Sequence, residues 1–267
     1  MSITDAHAGP FGAQLRRWRL LRGLSQLELA VRAATTPRHV SFLETGRSRP
    51  RTEMVRRLAG ALDLLPREQN AMLEAAGLPA VFTEHRLEDA EIARHRAVID
   101  SLLQRHEPLP AAVVDRYGAV RGANAAFERL TPGLVGLEPE DLIERYFGPG
   151  PWRDAVLNWA DVAAAWLARQ RLEAHRTGDP RLQALIARAE RLIGPLPLYA
   201  GTADTPMACA KINVGDDVLE VFALVVRFDA ANDVTLSELR VELMYPANEA
   251  ADRYFRDTSE GYGRDHP

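Results

Sequence analysis

At 267 residues, 46% hydrophobic and 26% charged, the chain has the composition of a soluble globular protein with room for a small domain and a larger one. No apolar run approaches the roughly 18 residues of a membrane span, the N-terminus MSITDAHAGP lacks the basic start and apolar core of a secretory signal, and the single cysteine, Cys209, excludes an internal disulfide and a Cys-rich zinc site. Twelve arginines face six acidic residues in 11–78, whereas the other 21 basic residues face 30 acidic ones in 79–267, so a net charge of −4 conceals a basic N-terminal block suited to a polyanion.

Residues 1–10 are expected to be a flexible leader. Phe11, Leu15, Trp18 and Leu21 recur at helical spacing, and Gly23 stops that helix. Ser25-Gln26-Leu27-Glu28 is a capping box that starts a second helix, about Gln26 to Ala33, expected to bury Leu27, Leu29, Ala30 and Ala33. Ala34 and Thr35 leave room only for a sharp reversal. Thr36 then suits an N-cap and Pro37 a first helical position, since its missing N–H would have no partner there. The third helix, about Pro37 to Glu44, buries Val40 and Leu43, and Gly46 ends it. Two more amphipathic helices, Thr52 to Leu62 and about Pro66 to Ala76, close an all-α bundle over 11–78.

With Val40 and Leu43 inward, Arg38, His39, Ser41, Phe42 and Thr45 fall on outer or flanking faces. The first turn at Thr36 and Pro37 offers free N–H groups and a positive dipole end to phosphate. Gln26 can donate a hydrogen bond to another phosphate, and Arg47, Arg49 and Arg51 can track the backbone. LSQLELA, a small-residue turn and FLETGRSRP together closely resemble the XRE (Cro/C1-type) helix-turn-helix family over about 11–78. The resemblance implies that the third helix reads double-stranded DNA, with Arg38, Ser41 and Phe42 at base edges and Gln26 on the backbone. It also implies a structural pair between Arg19 and Glu44. Pro37 departs from the family pattern, and Phe42 can meet only thymine methyls or sugars. The bland alternatives are a protein-interaction bundle and a solvated run of arginines. His39 has no second ligand beside it, so no metal site is expected.

After a connector at 79–89 the chain turns acidic. Leu87 to Arg105 reads as one long helix. Ala111 to Gly122 reads as a hairpin, and Asn124 can cap a helix to Leu130. A helical middle follows. Glu138 to Phe147 is broken by GPGP, and Trp152 to His175 carries Trp152, Val156, Trp159, Ala163 and Trp166 as one stripe. Pro180 to Ile193 is a further helix. Strands are expected at Met207 to Val214, Val218 to Phe228 and Ser237 to Tyr245. In the last, Leu239, Val241, Leu243 and Tyr245 mark the buried face and their charged neighbours the wet one. A helix from about Asn248 to Phe255 precedes a polar tail, 257–267.

Strands at both ends of a helical insert predict an α+β, PAS-like domain, an antiparallel sheet with helices. The element order, with NWADVA at 158–163 and DVTLSELRVELMYP at 233–246, resembles the MmyB-like ligand-binding domain over about 90–256. The resemblance implies a transcriptional regulator responsive to a small apolar ligand, fatty acid being attested for the family. A pocket between the sheet and the tryptophan helix would be lined by Tyr117, Trp152, Trp159, Trp166 and Phe222 or Leu224, with Arg153, Asn158 or Arg169 placed for a polar head. The competing reading is that these aromatics simply pack a core.

Catalysis finds no motif: no Gly-rich phosphate loop, HExxH, GxSxG or paired CxxC is present, so neither catalytic residues nor a cofactor are assigned. The sequence therefore predicts a cytoplasmic, ligand-responsive DNA-binding regulator, homodimeric because one small reading head supplies few contacts, and with no membrane partner. The rivals are an enzyme targeted by the N-terminal bundle and a ligand-free interaction protein.

Overall fold

A computed structural model of the chain describes residues 9–195, 209–228 and 231–262. These fall into two compact units. The first holds 9–86 with 175–177 and 231–237, and the second holds the rest. Among the described residues, no helix is long and apolar enough to cross a membrane.

The first unit is a bundle of α1 (Pro10–Leu21), α2 (Gln26–Arg32), α3 (Pro37–Glu44), α4 (Thr52–Ala61) and α5 (Pro66–Ala75). Its ends are set locally. Ser25 accepts from the Glu28 amide at 3.1 Å while the Glu28 carboxylate accepts from the Ser25 amide at 2.7 Å, the expected capping box. Thr36 caps α3 by accepting from the His39 amide. One core gathers Leu15, Leu29, Val40, Leu43, Leu58 and Met72, all essentially sealed from solvent. Gly12 lets α1 touch the end of α3: a Cβ there would stand 2.5 Å from the Glu44 carbonyl oxygen. Leu27 departs from expectation and is exposed. It lies about 200° around the helix from Leu29, so both cannot share the buried face.

In the second unit, α6 (Ala93–Arg105) leads to β1 (Ala111–Val114) and β2 (Val120–Ala123). Then come α7 (Ala125–Leu130), α8 (Pro139–Phe147), α9 (Pro151–Ala155), α10 (Trp159–Thr177) and α11 (Pro180–Ile193). The sheet is completed by β3 (Ala210–Val214), β4 (Asp217–Arg227) and β5 (Arg240–Pro246), with α13 (Glu249–Tyr262) after it; the short α12 (Val234–Glu238) before β5 belongs, all but its last residue, to the first unit. The strand order is β2-β1-β5-β4-β3, antiparallel throughout. The helical insert between β2 and β3 is what the PAS-like reading predicts. The expected strand start at Met207 lies outside the described residues.

Asn124 knits the opening of this unit together. Its side-chain oxygen accepts from the Phe127 and Ala111 amides, and its nitrogen donates to the Leu103 and Leu109 carbonyls. One side chain thereby caps α7 and satisfies the end of α6 and the start of β1. Four elements differ from the sequence reading. The last helix, expected to end near Phe255 before a polar tail from 257, continues to Tyr262. The long helix expected from Leu87 begins as a 3-10 turn at Ala90–Ile92. The strand expected from Ser237 begins at Arg240, because Asp233 caps α12 through the Leu236 amide. The helix expected over Trp152 to His175 is interrupted at 156–158. There the chain pairs with the edge of β3: the Leu157 amide donates to the Lys211 carbonyl at 2.8 Å, and the Asn158 amide group bridges the Cys209 carbonyl and the Lys211 amide. Hydrogen bonds to a distant strand replace those of the helix.

Candidate functional site

On the first unit, α3 shows its outer face between two fixed ends. Arg38 is exposed and its guanidinium lies 5.1 Å from the centroid of the Phe42 ring, so the apolar Phe42 is a platform that orients a donor. Ser41 and Phe42 are half-buried beside it, and Thr45 turns its hydroxyl back to the Ser41 carbonyl at 2.8 Å. His39 is engaged sideways with the Thr35 hydroxyl, 3.1 Å from Nδ1. Thr36 and Pro37 are exposed at the helix start. Arg47, Arg49 and Arg51 are exposed after it, and the Arg47 amide is tied back to the Phe42 carbonyl at 2.8 Å.

Beneath this face Arg19 meets Glu44, Nε to Oε1 at 2.6 Å and Nη2 to Oε2 at 3.0 Å, while Nη1 donates to the Leu24 carbonyl. Both side chains are buried, which marks the pair as structural. The Gln26 side-chain nitrogen donates to Glu44 Oε2 at 2.8 Å. Glu44 thus holds Gln26 in place, a link the sequence reading, which gave Gln26 only a phosphate, did not contain.

In the second unit a cavity of about 400 Å³ lies between α10 and the sheet. Trp159, Val162, Trp166 and Arg169 come from α10, Trp152 from α9, and Tyr146 and Phe147 from the end of α8. The sheet supplies Ile212, Val221, Phe222, Glu242 and Met244. Phe147 packs 4.8 Å from Trp166, and the Trp159 indole N–H donates to the Tyr146 carbonyl at 3.3 Å, so the aromatic wall is fixed by its own contacts. The Tyr146 hydroxyl is pushed well above its ordinary range, first by burial and then by Glu242, with Arg169 opposing.

Of the residues expected to line a pocket, Trp152, Trp159, Trp166 and Arg169 converge on this cavity. Phe222 borders it only where β4 passes: its ring stacks on Tyr245, its partner in register, at 5.8 Å on the sheet face opposite Glu242 and Met244, so the side chain does not point into the cavity as expected. Four others do not line it. Tyr117 donates its hydroxyl to Asp179 at 3.1 Å among the helices. Arg153 lies 3.9 Å over the outside of the Trp159 ring. Asn158 is committed to β3. Leu224 points from the opposite sheet face, in register with Leu243, and is exposed.

Tyr146, Phe147, Glu242 and Met244 were not anticipated. Period-2 alternation puts Glu242 and Met244 on one face of β5, and the sequence reading took that face as wet; it is the cavity face. Among the described residues, no cluster of three or more potential metal ligands occurs.

Together the units define a helix-turn-helix regulator carrying a ligand-binding domain. Residues 10–73 match a helix-turn-helix domain family, and residues 95–257 match the family described as MmyB-like transcription regulator ligand binding domain. The second match spans more than half of the chain, which belongs to the MmyB-like transcription regulators. No curated protein matches. Among solved structures, the restriction-modification controller protein C.AhdI from Aeromonas hydrophila is 36% identical over 23% of this chain and 92% of its own, with a TM-score of 0.22. The clp gene regulator ClgR from C. glutamicum is 32% identical over 26% of this chain and 87% of its own, with a TM-score of 0.23. Neither matched family is one of enzymes.

Proposed function

We propose that this protein binds double-stranded operator DNA as a homodimer and changes its DNA-binding state when a small apolar ligand, such as a fatty acid, occupies the cavity. The observation that carries the ligand half is the convergence of Trp152, Trp159 and Trp166, from two helices, on one cavity over the sheet. A volume of about 400 Å³ lies within the range of small-ligand sites. The DNA half is supported by the Arg38–Phe42 stack on the open face of α3 and by the exposed arginines that follow it. In this reading Arg38, Ser41 and Phe42 meet base edges. Gln26, Thr36, Pro37, His39, Thr45, Arg47, Arg49 and Arg51 meet the backbone, and binding weakens steeply with salt.

Pairing of copies is supported by the need for two reading heads about one helical turn apart. It is supported further by an exposed apolar strip, Val98 on α6 with Leu224 and Val226 on β4. Ligand would act by differential affinity for two arrangements of the pair.

Two measurements test this. Arg38→Ala should cost about 1–3 kcal/mol of operator affinity and relax preference at one base position in a gel-shift series; unchanged affinity and preference would place the reading face elsewhere. Native mass spectrometry of the purified protein should reveal a bound small apolar species, such as a fatty acid. A protein that emerges with no adduct, and gains none when incubated with such lipids, would remove the ligand half.

A further inference from the structure

The lining of the cavity is mostly apolar; its charged end is Arg169 of α10 with Glu242 of β5, and both act electrostatically on the buried Tyr146 hydroxyl. Arg169 Nη1 and Glu242 Oε1 form an ion pair at 3.2 Å, in which the Arg169 side chain is 40% exposed and the Glu242 side chain 16%. Two residues before Glu242, on the same strand face, stands Arg240, which is buried. Its guanidinium is pushed down by burial and next by Arg169, while Glu242 and Glu173 oppose that shift; the remaining neighbour, Arg227, is exposed. The two charged side chains that line the cavity, Arg169 and Glu242, therefore offset each other, and this polar end is balanced without a ligand.

Balance decides what that end accepts. A ligand carboxylate would bring an uncompensated negative charge beside Glu242, and an ammonium an uncompensated positive one beside Arg169 and Arg240. In a site partly withdrawn from water, either costs more than at the surface. Hydrogen-bonding capacity remains on both sides. The Arg169 guanidinium has donors beyond the Nη1 that meets Glu242, and a carboxylate such as Glu242 has room for several donors. Tyr146 stays a neutral hydroxyl because burial and Glu242 both oppose its ionisation.

We infer that the cavity selects an apolar chain bearing a neutral head that both accepts and donates a hydrogen bond: a primary amide, an alcohol or an un-ionised acid. The head's oxygen accepts from Arg169 and its N–H or O–H donates to Glu242. The inference rests on the cavity being the ligand site and names the head that site reads.

The test titrates the full chain near neutral pH with dodecanamide, 1-dodecanol, dodecanoate and dodecylammonium, each below its micelle-forming concentration, following tryptophan emission. Three of the chain's four tryptophans line the cavity, so occupancy is reported directly. Dodecanamide and 1-dodecanol should bind at least about tenfold tighter than either charged probe. Glu242→Gln should then raise the affinity for dodecanoate by about tenfold while 1-dodecanol stays within about threefold. If the variant does not fold, the order of the four probes on the unaltered chain decides alone. Tightest binding of dodecanoate, or equal binding of all four heads, overturns the inference while leaving the cavity a ligand site. No response to any probe overturns the ligand site itself and the inference with it.

Discussion

The two units use the same apolar residues to different ends. In the helical unit, α1 to α5 turn their stripes to one centre, and Leu15, Leu29, Val40, Leu58 and Met72 leave no lining exposed. In the sheet unit the apolar residues divide among several clusters: one among α8, α10 and α11, one around Phe255 and β3–β4, and one around Phe127. Trp159 belongs to two of them, and the cavity opens beside it. A reading head displays its function on the outside, so its interior can be filled completely. A ligand domain holds its function inside, so its packing must stop short somewhere, and the polar groups at that limit are the ones that choose the ligand. Electrostatics divides the same way: Arg19 and Glu44 satisfy each other within the bundle, whereas Arg169 and Glu242 retain capacity for a third partner.

The largest expected effect breaks the closed unit. Arg19→Ala would leave the Glu44 carboxylate buried with only the Gln26 amide and no cation. Removing one member of a buried pair costs about 3–5 kcal/mol, and the surviving Gln26 contact places this case near 3. Hydrogen exchange resolved by segment should show protection lost across α1, α2 and α3, with operator binding weakened in parallel. Unchanged protection there would mean that the bundle does not depend on the pair. Next comes the sheet unit, probed away from its cavity. Asn124→Ala strands the Phe127 and Ala111 amides and the Leu109 carbonyl in a buried place, while the Leu103 carbonyl keeps the His106 amide. With about 1–3 kcal/mol for an orphaned buried group, a loss of about 2 kcal/mol is expected after partial relaxation. Urea unfolding measures it, and the exchange pattern should now loosen around α6, β1 and α7.

Alkaline pH separates the units more gently. Tyr146 and Tyr117 are both pushed up, chiefly by burial, the first further by Glu242 and the second by Asp179. A folded value above the unfolded one of about 10 means stability that is complete below pH 10 and lost as pH rises through the folded values. Stability should fall above about pH 10, and Tyr146→Phe should flatten that fall. An equal slope in the variant would show that Tyr146 does not carry it.

What the sequence disclosed follows the range of the interactions. Ser25, Thr36 and Asn124 cap helices within three residues of themselves, so their roles are legible from local pattern. The tryptophans are legible as a stripe, although Trp152 sits on its own short helix. The break at 156–158 is not legible, because its hydrogen bonds go to β3, more than fifty residues on. Leu224 and Glu242 fail for a second reason. Alternation sorts a strand into two faces but cannot say which face a remote helix will cover. The hydrophobic face of β5 was the natural choice, and α10 instead covers the face holding Glu242, where Arg169 neutralises it. Tyr117 was read as pocket-facing because Asp179, its actual partner, lies on the far side of the helical insert.

The smallest effect sharpens the comparison by improving the closed unit. Ala34 takes φ +48° directly after α2, a left-handed conformation that a Cβ disfavours. The reason it is held there is visible in the backbone. The Thr35 amide reaches the Ala30 carbonyl at 2.9 Å and the Ala34 amide reaches that of Val31 at 3.2 Å, a Schellman closure that needs a left-handed residue between helix and turn. Glycine meets that need without the steric cost but loses more chain entropy on folding, so the two effects partly cancel. Ala34→Gly should therefore raise stability by about 0.5–1 kcal/mol, read as a higher urea midpoint at unchanged slope. Operator affinity should stay within about twofold, because the turn already has the geometry that glycine prefers. A lower midpoint would mean that the Cβ of Ala34 makes contacts worth more than the strain, and that the turn joining α2 to the reading helix is packed rather than merely closed.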